Sequence, residues 1–287
     1  MSEGSRRRVG SVRAVWRYPV KSMLGEHLDA AEVGEAGIAG DRRWGVVDRE
    51  SDVVASAKRP NRWRRLLQIR TEAVEEGGVR LHFPDGRTAR SGEDSVDDLV
   101  SEFLGRPVRL AARAAPGATL QRAVPEEVLD SGSDAAVAFT VLEIGAASPP
   151  GTFFDFSPLQ VVTTASLAEV GRLHPAGAVD PARYRPNVII DTGADQTGFV
   201  ENAWVGQDLH LGPDVVARLL VPSPRCSVPT LPHGDLPGDP EALRVVARHN
   251  FVDVPIEGFG KAPCLGAHAT IVNGGTLSVG DEVWLAG

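Results

Sequence analysis

The segment Pro222-Ser223-Pro224-Arg225-Cys226-Ser227-Val228-Pro229-Thr230 holds the residues best suited to chemistry. A cysteine thiolate ligates metals and attacks electrophiles, and a guanidinium one residue away favours that ionised form. Three prolines stiffen the backbone, so Cys226 is expected on a short rigid loop after a strand. The same residues fit a buried, inert cysteine beside a surface arginine equally well. A second segment, Tyr18-Pro19-Val20-Lys21-Ser22, offers an ammonium and a hydroxyl at a strand exit, a pair suited to an anion such as a phosphate. In a third, Arg183-Tyr184-Arg185-Pro186-Asn187, arginine brings a planar fork for phosphate and asparagine a paired donor and acceptor for a heterocycle edge. Taken singly, the second also fits a solvated strand end and the third a structural bend.

Composition removes several function classes. The chain has 287 residues, is 42% hydrophobic and 24% charged, and carries a net charge of -8. That acidic balance argues against a nucleic-acid partner, which needs a basic surface. No apolar run approaches the roughly 20 residues of a membrane span, and no apolar stretch follows the basic Arg6-Arg7-Arg8 as a secretory signal would require. The expectation is a cytoplasmic protein with no membrane partner. Its two cysteines, Cys226 and Cys264, would be reduced thiols, too few for a disulfide framework or a four-thiolate iron–sulfur cluster. Phosphate-loop, dinucleotide, zinc-protease and serine-hydrolase motifs are all missing.

The elements that must position these residues read as mostly β. Strands are expected at 12–20, 43–47, 66–70, 79–83, 159–162, 187–191, 208–211 and 217–221. Short helices are expected at 95–104, ended by Gly105, at 164–172, capped by Thr164 or Ser166, and at 240–248. The end of the chain has a hairpin signature, with Asn273-Gly274-Gly275 leading into 276–279 and Gly280-Asp281 into 283–285. Alanine-rich sequence between Ala111 and Pro125 suggests a crossing between two units, 9–125 and 126–287, after a disordered tail at 1–8. The fold class is mainly β, two barrel-like domains with a few short helices.

The order of the segments carries a resemblance. The chain resembles the molybdenum cofactor sulfurase C-terminal (MOSC) family with the β-barrel domain that often precedes it. The run Tyr18 to Ser22, then Asp41-Arg42-Arg43-Trp44 and Ala57-Lys58-Arg59-Pro60, is similar to that first domain. Asp155 to Pro158, Ala165-Ser166-Leu167, Arg183 to Val188, Glu201 to Trp204 and Arg225-Cys226 are similar to the second. The resemblance implies a molybdenum–pterin cofactor with Cys226 as metal ligand. Lys21, Ser22, Arg42, Arg185 and Asn187 would hold the pterin and its phosphate beside Arg225, with Arg59 and Ser166 as further contacts. Asp155 would sit near the metal and relay protons. The implied activity is reduction of N-hydroxylated or N-oxygenated small molecules, as in amidoxime-reducing relatives. Lacking the ferredoxin-like domain of some relatives, the chain would take electrons from a separate ferredoxin-like protein or flavin reductase. The alternative is a carrier of sulfur or cofactor, with a persulfide on Cys226. A plain thiol enzyme ranks below both for want of a base. Cys264 is expected to be packed. Of the histidines, His233 lies near Cys226 in sequence, while His249 and His268 are expected in loop or core.

Overall fold

The computed structural model describes residues 6–256 and 259–286. Seven strands close a barrel in the order Leu159–Thr163, Val188–Asp191, Arg6–Arg17, Glu282–Ala286, Asp208–Leu211, Val215–Pro224 and Lys261–Asn273. The seam is the pairing of Leu159, Gln160 and Val161 with Ala269, His268 and Ala267. Strands 159–163 and 188–191 run parallel. Parallel neighbours need a crossover, here the helix Thr164–Leu173 and the 3-10 turn Pro181–Tyr184. Val12, Val15, Val161, Ile190, Leu209 and Leu285 belong to one buried core, with small Ala217, Ala267 and Ala269 among them. Such a mixture fills a small barrel without leaving a channel. At the seam Gly266 has φ +77°, and a Cβ there would lie 2.4 Å from the Val161 carbonyl oxygen. Only glycine fits so close an approach.

The first strand departs from the expected tail and from the expected first unit. Arg6, Arg7 and Arg8 pair with Ala286, Leu285 and Trp284, and Ser11 to Val15 pair with Asp191 to Val188. The strand therefore completes the barrel otherwise built from residues after 158. Residues 1–5 of the expected tail lie outside the described residues.

The remaining N-terminal residues gather a second core from Met23, Trp63, Leu66, Leu81, Val100 and Phe103, among others. Short antiparallel sheets surround it: Gly45–Asp48 with Val108–Ala111, and Arg70–Ala73, Val79–His82 and Thr88–Arg90 together. Helix Val96–Leu104 ends where Gly105 turns left-handed at φ 71° and donates its N–H to the Ser101 carbonyl at 2.8 Å.

Three expectations change. The strand expected at 66–70 is a 3-10 turn over Arg64–Gln68, with strand beginning only at Arg70. Leu66 packs into the second core while its neighbour Leu67 packs against Val228 and Leu231, which tightens the backbone there. The crossing at 111–125 contains a strand, Thr119–Ala123, paired with Phe139–Glu143. Finally, Gly275–Ser278 pairs with Ala30–Gly34 instead of closing a terminal hairpin. That pairing ties the barrel to the N-terminal part.

Candidate functional site

Between the barrel and the N-terminal part lies a cleft of about 280 Å³. The structure brings seven of the expected site residues to it: Lys21, Ser22, Arg42, Asp155, Arg185, Arg225 and Cys226. Asn187, Arg59 and Ser166 do not line it. Asn187 is buried one layer behind, donating to Asp41 Oδ2 at 2.8 Å and accepting from Arg42 Nη1 at 3.0 Å. Arg59 donates to Gln121 and covers the Phe139 ring at 3.9 Å. Ser166 is buried in the first turn of its helix and donates to Glu201. The cap of that helix is Thr163, whose hydroxyl accepts from the Ser166 N–H at 3.2 Å.

One wall of the cleft is cationic. The Lys21 ammonium donates to the Phe153 carbonyl at 2.8 Å and to Asp155 Oδ1 at 2.6 Å, while Lys58 approaches the other carboxylate oxygen at 3.1 Å. Burial, outweighing the attraction of Asp155, lowers the Lys21 ammonium to about 8. Partial desolvation would raise the Asp155 carboxyl, but Lys21 and Lys58 together hold it well below the usual carboxylate range. Arg42 donates to Asp41 Oδ2 at 2.5 Å and lies over the Tyr18 ring at 4.6 Å. Arg185 covers the same ring at 4.3 Å and donates through Nη1 to the Met23 carbonyl at 2.7 Å. Its Nη2 is enclosed and has no partner among the described residues. A buried donor of this kind needs an acceptor.

The backbone of this wall is unusual. Among the described residues five non-glycine residues have positive φ, and three of them are Ser22 at 63°, Arg42 at 44° and Arg185 at 54°. Each such residue costs on the order of 1 kcal/mol, held here by tertiary bonds. The Arg42 N–H donates to the Tyr18 carbonyl at 2.8 Å, the Tyr18 N–H to Asp41 Oδ1 at 2.6 Å, and the Ala57 N–H to Ser22 Oγ at 3.1 Å.

The opposite wall carries the cysteine. Strand Val215–Pro224 shifts register three times against Lys261–Asn273, and such bulges re-aim side chains. Cys226, partly exposed, follows the strand, and the loop tightens into a 3-10 turn at Val228–Thr230. Arg225 lines the cleft beside Cys226, but its guanidinium is committed to backbone carbonyls. Its guanidinium donates to the Tyr184 carbonyl at 2.9 Å and, through Nε at 3.1 Å and also Nη2, to the Leu265 carbonyl. Burial lowers its pKa to about 10. Arg183 braces the far side of the loop, donating to the carbonyls of Pro229, Leu231 and Pro237. Cys264 is fully buried, and burial pushes its thiol up to about 12, leaving Cys226 as the accessible thiol.

Sequence reasoning missed Lys58, Ser223 and His268. Lys58 adjoins Arg59, which was named in its place. His268 reaches the cleft through strand register, opposite Val221 and Gln160, and no local motif signals it. His233, nearer in sequence, is buried with Nδ1 against the Leu231 carbonyl at 2.9 Å. Among the described residues no group of three or more His, Cys, Asp or Glu could hold a metal. A metal bound at Cys226 would therefore bring most of its ligands with it.

Residues 9–91 match the MOSC N-terminal beta barrel domain, and residues 149–284 match the MOSC domain. The chain carries both MOSC domains. Barrel strand Arg6–Arg17 lies outside the interval matched to the MOSC domain itself. Along nearly its whole length the chain is similar to the mitochondrial amidoxime-reducing component 1 of Homo sapiens, at 26% identity over 97% of this chain and 84% of that protein. It is also similar to component 1 of Mus musculus (24%, 97% and 83%) and component 2 of Bos taurus (25%, 98% and 85%). Among solved structures the YUAD protein from Bacillus subtilis aligns over 98% of this chain and 97% of its own, at 11% identity and TM-score 0.46. The MOSC match supports a role related to the molybdenum cofactor. No helix among the described residues is long and apolar enough to cross a membrane.

Proposed function

We propose that this protein holds a molybdenum–pterin cofactor in the cleft, with Cys226 as its protein ligand, and reduces N-oxygenated small molecules. The observation that carries the reading is the pairing of one accessible thiol with a rigid cationic wall on which Arg185 Nη2 lacks an acceptor. A cofactor that supplies its own sulfur ligands fits a donor set of one cysteine, and its phosphate fits Lys21, Ser22, Arg42 and Arg185. The names of the similar proteins, amidoxime-reducing components, support the substrate class.

When bound, the cofactor would supply the two-electron exchange and the site that takes the substrate oxygen. Overall, a substrate N–OH group, two electrons and two protons become an N–H group and one water. The electrons come from a separate ferredoxin-like or flavin-containing donor. The protein's own residues position and neutralise. Asp155, with 41% of its side chain accessible, stays ionised and holds Lys21 and Lys58 in place. Lys21 Nζ is the cleft proton whose affinity lies nearest neutrality. Asn187 and Asp41 fix the Arg42 fork from behind.

The test is elemental analysis of protein from a molybdate-supplied host, wild type beside Cys226→Ser, with reduction of an amidoxime by a chemical electron donor. Near-stoichiometric molybdenum that is lost in the variant, together with turnover in the wild type, is expected. No molybdenum in either protein, or a persulfide found on Cys226 in its place, would overturn the reading in favour of sulfur transfer.

A further inference from the structure

Behind the cleft surface a hydrogen-bonded row runs from Ser157 through His268 to Ser223. Ser157 Oγ lies 3.2 Å from the Leu159 carbonyl, to which it donates, and 3.0 Å from His268 Nδ1. Both bonds are made at once only if Ser157 donates to that carbonyl and accepts from the ring, which assigns the hydrogen to Nδ1. Nε2 is then a lone pair, and Ser223 Oγ, 3.1 Å away, must donate to it. The opposite tautomer would forfeit the bond to the Leu159 carbonyl. Burial first, then the nearby cations Arg225 and Lys58, lower His268 to about 3, so the ring gains no second proton in the working range. Phe156 meets the ring edge-on at 5.4 Å and backs it. Ser223 and His268 both line the cleft with Cys226.

Ser223 therefore has no proton left to offer a ligand. We infer that Ser223 is a specificity-determining acceptor, held in that polarity by His268, which selects ligands whose nitrogen–oxygen group carries an N–H or O–H. Amidoximes and hydroxylamines meet this condition; an N-oxide with neither group presents only acceptors and faces lone pair against lone pair. The selection stands out because Lys21, Lys58, Arg42 and Arg185 all offer hydrogens, while both oxygens of the acceptor Asp155 are already engaged by Lys21 and Lys58. His268 acts through Ser223 and is a positioning residue.

This inference rests on the proposed function for its ligands, so its test separates the two. In wild-type full-length protein, nitrogen-15 NMR of the imidazoles should show His268 as the Nδ1–H tautomer; the Nε2–H form would overturn the inference. Calorimetry with an arylamidoxime and with pyridine N-oxide should show the amidoxime bound at least about tenfold more tightly, the size of one hydrogen bond made or lost. Ser223→Ala should reduce that preference to within about twofold by weakening the amidoxime alone. His268→Phe should reduce it instead by strengthening the N-oxide, because Ser223 regains its proton. A preference unchanged in both variants would sink the assignment, and the wild-type spectrum decides the matter should either variant fail to fold. Wild-type protein that discriminates between the two compounds yet reduces neither would refute the proposed reaction while leaving Ser223's role intact.

Discussion

Two arginines in the same cleft, Arg185 and Arg225, show how its walls differ. Burial lowers both to about 10. Arg225, on the cysteine wall, spends its guanidinium on the carbonyls of Tyr184 and Leu265 and thereby joins the Cys226 loop to the seam strand. Arg185, on the cationic wall, makes one bond to Met23 and leaves Nη2 unmatched. On the one wall the guanidinium is fully matched and stiffens its loop. The other is held in a strained arrangement that only an outside acceptor completes. Identical side chains thus serve the fold in one place and, in the proposed function, a ligand in the other, and the hydrogen-bond partners tell them apart where charge does not.

The sharpest way to break this contrast is the same substitution at both positions. Arg225→Met should cost roughly 3 kcal/mol, since it removes the charged donor shared by two enclosed carbonyls, and lower Tm by about 6 °C or more. Arg185→Met should change Tm by no more than about 2 °C while weakening sulfate binding about tenfold. Equal losses of stability would show that the walls do not differ as described.

A smaller effect concerns pH. Lys21 is lowered to about 8 from its ordinary 10.5, so its charge is present below pH 8 and lost above it. Sulfate, whose own charge is constant in this range, should bind progressively less well as pH rises through about 8. Lys21→Arg should flatten the profile. For stability the sign is opposite: between pH 8 and 10.5 the unfolded chain binds the extra proton, so this group's contribution rises with pH. A sulfate profile flat from about pH 7 to 9.5 in the wild type would contradict the assignment of Lys21 to the anion.

The smallest effect tests whether positive φ on the cationic wall differs from positive φ elsewhere. Glu76 has φ 61° on an exposed turn away from the cleft, so Glu76→Gly should raise stability by about 1 kcal/mol, near 2 °C in Tm. Ser22→Gly should show little or no gain, because it also removes the hydroxyl that accepts from Ala57. A thermal-melt gain at Ser22 equal to that at Glu76 would mean that its hydroxyl contributes nothing.

The sequence by itself determined much of this protein. Alternating apolar residues specified most strands, because one buried face of a sheet imposes a period of two. Helices 96–104, 164–173 and 241–249 were legible from their apolar spacing and terminal residues. The motifs around Lys21, Arg42, Arg185 and Cys226 marked residues that meet in one cleft, and their order carried the family resemblance. Local sequence could not assign the hydrogen bonds. Arg183 and Arg185 are two residues apart and both line the cleft, yet one spends its guanidinium on loop carbonyls while the other keeps Nη2 unpartnered. Lys58, not Arg59, turns inward. Ser223 and His268 lie 45 positions apart and meet only because two neighbouring barrel strands pair and bulge against each other. Strand Arg6–Arg17 joins a barrel whose other strands begin at residue 159, a long-range pairing that no window of neighbouring residues encodes. Residue type fixes what a side chain can donate or accept; only the tertiary structure decides which of those capacities remain for a ligand.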